Sequence, residues 1–123
     1  MDPARKKILI VDDEEDVRLF LADFLGERDF LVETAGDAEE ALAKFKAGNR
    51  YDIVLLDIMM PGMDGIACLE KIKEIAPKTV VIMITALKDE NRMNTAKKLG
   101  AAQYIVKPFS LNYLETELLR LLE

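Results

Sequence analysis

The chain has 123 residues, 50% of them hydrophobic and 33% charged, with a formal net charge of −6 and a single cysteine, Cys68. That balance excludes a disordered segment, and the acidic total argues against nucleic-acid binding by this chain. One cysteine excludes an internal disulfide; with no apolar run near the length of a membrane span and no signal-peptide core in MDPARKK, the expected location is a reducing cytoplasm, away from membranes.

Lys7 to Val11 (KILIV) reads as the first strand and runs directly into the acidic stretch Asp12 to Asp16. Val17 to Leu25 follows helical spacing, with Val17, Phe20, Leu21 and Phe24 sharing a face and Leu19 pointing away from it. Phe30 to Ala35 alternates as an edge strand does. Asp37 with Glu40 forms a capping box for a helix that should bury Ala38, Ala41, Leu42 and Phe45 and stop at Gly48. Ile53 to Leu56 is a short β-branched run suited to a strand buried on both faces, and it ends on Asp57. Pro61-Gly62 turns the chain, and Asp64 caps a helix that continues to Ala76, ahead of Pro77. Cys68 falls on the apolar side of that helix and, with no histidine in the chain, reads as a buried structural thiol. Thr79 to Thr85 (TVVIMIT) is a second fully apolar strand, followed by a polar helix from about Asp89 to Leu99 that ends at Gly100. Ala102 to Val106 is the last strand, leading to Lys107-Pro108, and Ser110 caps a final helix.

Five strands alternating with five helices predict a doubly wound parallel α/β domain occupying residues 1–123, with helices on both faces of the sheet. In such sheets, polar chemistry collects beyond the carboxyl ends of the strands. Those ends carry Asp12-Asp13, Asp57, Thr85 and Lys107, while the second strand ends without such a group. A lone strand-end aspartate is ordinarily a turn residue; four functional strand ends pointing to one crevice are not explained that way. Three crowded carboxylates call for a cation, and hard oxygen donors without histidine or usable cysteine select Mg²⁺, or else Mn²⁺. With Lys107 as a second positive charge and the Thr85 hydroxyl as a donor to a bound oxyanion, the set fits phosphoryl transfer to Asp57 as nucleophile.

The VDD triplet, the LLDIMMPGMDG block, the strand-end Thr85-Ala86 and Lys107-Pro108-Phe109 together resemble the receiver domain of two-component response regulators, the CheY-like family, over essentially the whole chain. The resemblance implies a flavodoxin-like strand order 2-1-3-4-5 and the following roles. Asp57 matches the phosphoacceptor and Asp13 the direct metal ligand. Asp12 matches the acid that holds the metal through water, and Met59 the position lending a backbone carbonyl. Thr85 and Tyr104 match the switch pair, and Lys107 the phosphate-pairing lysine. Lys107-Pro108 resembles the family's cis peptide bond. The implied partners are a sensor histidine kinase or histidine phosphotransfer protein, and a downstream effector domain or protein. Leu19 is the candidate kinase contact; Tyr113 and Leu119 lie off the apolar face of the last helix and are candidates for an effector or phosphorylation-dependent dimer surface.

Two other readings share parts of this pattern. A flavin-binding flavodoxin needs amides, hydroxyls and glycine after the first strand, where Asp12 to Asp16 would repel a phosphate. An aspartate-nucleophile phosphatase of the haloacid-dehalogenase type needs a second acid two residues past the nucleophile, where this chain has Met59. A phosphoacceptor that turns over no separate substrate is the expected activity.

Overall fold

A computed structural model describes residues 5–122. Five strands, β1 (Lys7–Val11), β2 (Leu31–Ala35), β3 (Ile53–Leu56), β4 (Val80–Thr85) and β5 (Gln103–Val106), form one parallel sheet in the order β2-β1-β3-β4-β5. They alternate with α1 (Glu15–Gly26), α2 (Ala38–Lys46), α3 (Gly65–Ile75), α4 (Glu90–Lys98) and α5 (Leu111–Leu121). This is the doubly wound fold and the strand order that the sequence resemblance implied.

Each central strand divides its side chains between two cores, as the twofold period of a strand dictates. Ile8, Ile10, Ile53, Leu55, Ile82 and Ile84 face Leu21 and Leu25 of α1 and Leu114 and Leu118 of α5. Leu9, Val11, Val54, Leu56, Val81 and Met83 face α2 and α3, where Leu42, Phe45, Cys68, Leu69 and Ile72 pack, and Ala96 of α4. A strand apolar at every position is what a sheet covered on both faces requires. β2, at the edge, has only Ala35 buried.

The caps explain where the helices begin. Asp37, Asp64, Asp89 and Ser110 each accept a backbone N–H of the first turn of α2, α3, α4 and α5. Glu40 departs from the expected capping box: its carboxylate accepts from Gly36 N (2.9 Å) rather than from the Asp37 amide. Phe20 is a second departure. Placed by helical spacing on the buried face, it is 60% exposed, because α1 meets the sheet along Leu21 and Leu25 and Phe20 falls at the rim of that stripe. Leu19, expected to point away, is 54% exposed. No helix among the described residues is long and apolar enough to cross a membrane.

Candidate phosphoacceptor site

The site is assembled by ladders that run one residue past the strands. Val11 is in register with Leu56, and Leu56 with Met83, so the residues that follow leave the sheet side by side. Asp57 N donates to Val11 O (3.0 Å), Asp12 N to Ala35 O (3.2 Å), and Lys107 N to Thr85 O (2.8 Å). Buried apolar strands thus hold Asp12, Asp57 and Lys107 at the sheet's carboxyl edge. The Lys107-Pro108 bond is cis.

Lys107 Nζ lies 2.9 Å from Asp12 Oδ2 and 3.5 Å from Asp57 Oδ2. The lysine bridges two buried carboxylates and is closer to Asp12 than to the expected acceptor. The other Asp12 oxygen accepts from Glu14 N (2.9 Å), and the other Asp57 oxygen from Met59 N (3.2 Å). Asp12 is 4% and Asp57 6% exposed, whereas Asp13 is exposed. One carboxylate oxygen from each of the three lies within 4.8 Å of the others, a donor set that fits a hard divalent cation. Burial raises the Asp57 pKa above the ordinary carboxylate range, with Asp12 adding to the rise while Lys107 and the Met59 amide offset it in part. For Lys107, burial pulls the pKa down, but the bond and charge of Asp12, with Asp57 behind it, carry it above the usual lysine value.

Thr85 and Tyr104 meet at a single residue. The fully buried Thr85 hydroxyl accepts from Leu87 N (3.2 Å), and the Tyr104 hydroxyl donates to Leu87 O (2.7 Å). The loop after β4 therefore holds both expected switch residues. The Met59 side chain is 58% exposed at the rim.

Two residues that pattern alone did not single out also build the site. Arg18, in the first turns of α1, donates to Asp12 O (2.7 Å) and pins the β1–α1 loop. Gly65 opens α3 against the segment after β3: a Cβ there would come within 2.6 Å of Ile58 Cα and closer still to Asp57 O. Gly65 N also donates to Ile58 O (2.9 Å). The glycine ending the LLDIMMPGMDG block was visible in the sequence, but its need for a hydrogen in place of a side chain was not.

The family model of the response regulator receiver domain matches residues 8–119. The chain belongs to this family. The receiver is 42% identical over 104 residues to the transcriptional regulatory protein ResD of Bacillus subtilis, a match covering 85% of this chain and 42% of ResD. It thus spans less than half the length of that relative. A receiver domain protein of Methanospirillum hungatei shares the fold with a TM-score of 0.94 at 31% identity, over 97% of this chain and 94% of the other. The response regulator TrrA of Thermotoga maritima, in complex with Mg²⁺-BeF, gives 0.83 at 37% identity, over 94% and 98%. Membership of this family makes the domain a phosphoaccepting switch.

Proposed function

We propose that residues 1–123 form a single receiver module in which Asp57 accepts the phosphoryl group. The observation that carries this is the convergence of Asp12 and Asp57 on Lys107 Nζ, with the Asp13 carboxylate in the same 4.8 Å cluster. A phosphohistidine of a sensor kinase or phosphotransfer protein, or a small acyl phosphate, presents its phosphorus to Asp57. One Asp57 oxygen forms the new P–O bond as the bond to the donor breaks, and the leaving group departs with that electron pair. Lys107 is placed to shift its pairing toward oxygens of the transferred group. Asp12, Asp13, Asp57 and the Met59 carbonyl are the residues to hold Mg²⁺, with Mn²⁺ as substitute; a bound cation would supply neutralisation of charge on those oxygens.

Once Asp57 is modified, a phosphoryl oxygen can accept from the Thr85 hydroxyl, whose oxygen also accepts from Leu87 N, so drawing that hydroxyl toward the phosphoryl group pulls on the bond to Leu87. The bond from Tyr104 to Leu87 O ties that change to β5 and so to the α4–β5–α5 face. Tyr113 and Leu119, both exposed on α5, are the residues we assign to an effector or to a phosphorylation-dependent dimer. Leu19 we assign to kinase docking along α1. A buried lone thiol and an acidic, phosphotransfer-type site support a cytoplasmic setting.

With Mg²⁺ and acetyl phosphate the protein should gain one hydroxylamine-labile phosphoryl group, seen by intact mass. Asp57→Asn should abolish it and Asp13→Asn should reduce it; undiminished labelling of Asp57→Asn rejects the assignment. Leu19→Lys should slow transfer from the cognate kinase and leave acetyl phosphate labelling unchanged.

A further inference from the structure

Beside the carboxylate cluster lies a cavity of about 480 Å³ lined by Asp13, Met59, Asp64, Leu87 and Arg92 among others. Its charged members are two acids and one cation, Arg92, on the first turn of α4. Lys107 does not line this cavity; it is bonded to Asp12 and Asp57 and borders a separate groove with Val17, Phe20 and Phe109. A phosphodonor approaching Asp57 is a dianion entering a ring of carboxylates on a protein of net charge −6. Coulomb repulsion opposes its approach; Lys107 and a bound cation would offset this at the acceptor, and a cation at the entrance would offset it earlier along the path.

Arg92 is held there, but lightly. Its Nη1 lies 3.1 Å from Asp89 Oδ2, with the arginine side chain 49% exposed, so the pair is a surface one. Asp89 is already engaged as the N-cap of α4, accepting from Asn91 N (2.9 Å) and Arg92 N (3.3 Å). The guanidinium therefore shares its carboxylate with the helix end and is free to exchange it for a phosphoryl oxygen, which it can take in bidentate fashion. Burial raises the Tyr104 pKa, with the charges of Asp89 and Asp57 adding to the rise and that of Arg92 offsetting it in part.

We propose that Arg92 is a donor-recognition residue that binds the dianionic oxygens of the incoming phosphodonor at the mouth of the Asp57 site. The inference rests on the phosphoacceptor assignment above. It gives Asp89 a second role, as the internal anion that the donor displaces.

The test is the second-order rate of labelling by acetyl phosphate in Mg²⁺ at low ionic strength, with beryllofluoride affinity from amide shifts as a second, non-kinetic readout. Arg92→Gln should lower both by about two- to fivefold, the size of one exposed charge pair, and Arg92→Lys should recover part of the loss. Asp89→Ser, which keeps a capping hydroxyl while releasing the guanidinium, should raise both. Near 1 M salt, where the Debye length is about 3 Å, the differences should collapse. Lys78→Gln makes the same charge change at the opposite end of the sheet and should alter neither readout. Unchanged values in Arg92→Gln, or an equal loss in Lys78→Gln, overturn the inference while leaving Asp57 as acceptor. Failure of the parent to label at Asp57 overturns the phosphoacceptor reading itself.

Discussion

The two ends of the sheet are both polar, yet they treat carboxylates in opposite ways. At the amino end, Glu33 accepts from the Tyr51 hydroxyl (2.6 Å) and pairs with Lys7 (3.0 Å) and Lys44 (3.5 Å). The Tyr51 bond first, and Lys7 next, hold the Glu33 pKa below the ordinary range, and burial beside that carboxylate drives the Tyr51 phenol well up. Around it, Asp52 accepts from Lys7 N, the Thr79 hydroxyl donates to Tyr51 O, and Lys73 donates to Thr79 O. At the carboxyl end, one lysine serves two buried carboxylates, a third stands beside them, and the Asp57 pKa is raised. At the amino end the carboxylate is paired with a hydroxyl and two lysines. The carboxyl end gathers three carboxylates around one lysine, a surplus of negative charge that suits it to take up a cation and react with phosphorus.

The largest expected effect tests how tightly the functional end is built. Gly65→Ala forces a methyl against the backbone of Asp57 and Ile58 and should cost about 1–3 kcal/mol in denaturant unfolding. It should also slow labelling, because the segment that moves carries the acceptor. At Gly26, the last residue of α1, an added methyl would meet nothing within 4 Å, and the backbone lies outside the positive-φ region. Gly26→Ala should be neutral or stabilise by up to about 1 kcal/mol. Equal effects at the two glycines would remove the close approach at Gly65 as a feature of the site.

Next in size is the lifetime of the phosphoryl group. Met59 and Leu87 line the cavity next to Asp13, and neither side chain can orient a water by hydrogen bonding. Loss of phosphate requires water in line with the acyl phosphate, so the parent should decay slowly. Met59→Asn and Leu87→Glu should each hasten decay by up to about tenfold, about 1.4 kcal/mol of barrier. Decay of the parent within seconds, or no acceleration in either variant, would show that access of water is not set by these two side chains.

Much of this architecture was legible in the sequence because its strands are nearly uninterrupted apolar runs. KILIV, IVLL and VVIMIT admit few alternatives to buried parallel strands, and a polar residue closing such a run marks the sheet's functional edge. The carboxylates and Lys107 followed from that edge. Phe20 did not, since helical spacing gives the direction of an apolar stripe but not its width, and only the seating of α1 on Leu21 and Leu25 fixes the rim. Arg18 and Arg92 gave no sequence pattern either. Arg18 is bonded to a loop whose path is set by tertiary contacts, Arg92 pairs with the cap of its own helix, and a lone arginine on a polar helix face is an ordinary surface residue. The preference of Lys107 for Asp12 over Asp57 is a difference in contact distance too fine for spacing to carry.

The smallest expected effect returns to the two carboxylates, where the sign is the test. Asp57 has a raised folded-state pKa, so its favourable contribution is present below the unfolded-state pKa and is lost as pH rises through the folded value. At neutral pH the ionised side chain is therefore a burden, and Asp57→Asn should stabilise the fold by roughly 1 kcal/mol. That advantage should vanish as pH falls below the ordinary aspartate range, and Mg²⁺ should narrow it by binding the parent's folded state. Glu33 runs the other way. Its lowered pKa gives stability that is present above the unfolded value and is lost as pH falls through the folded one. Glu33→Gln should destabilise at neutral pH by less than about 1 kcal/mol, since the side chain is about a third exposed. Its labelling should match the parent's. Thermal unfolding of both variants across neutral and acidic pH decides the matter: opposite signs at neutrality converging in acid support the contrast, and a shared sign means that the two ends do not differ in the way their pKa directions state.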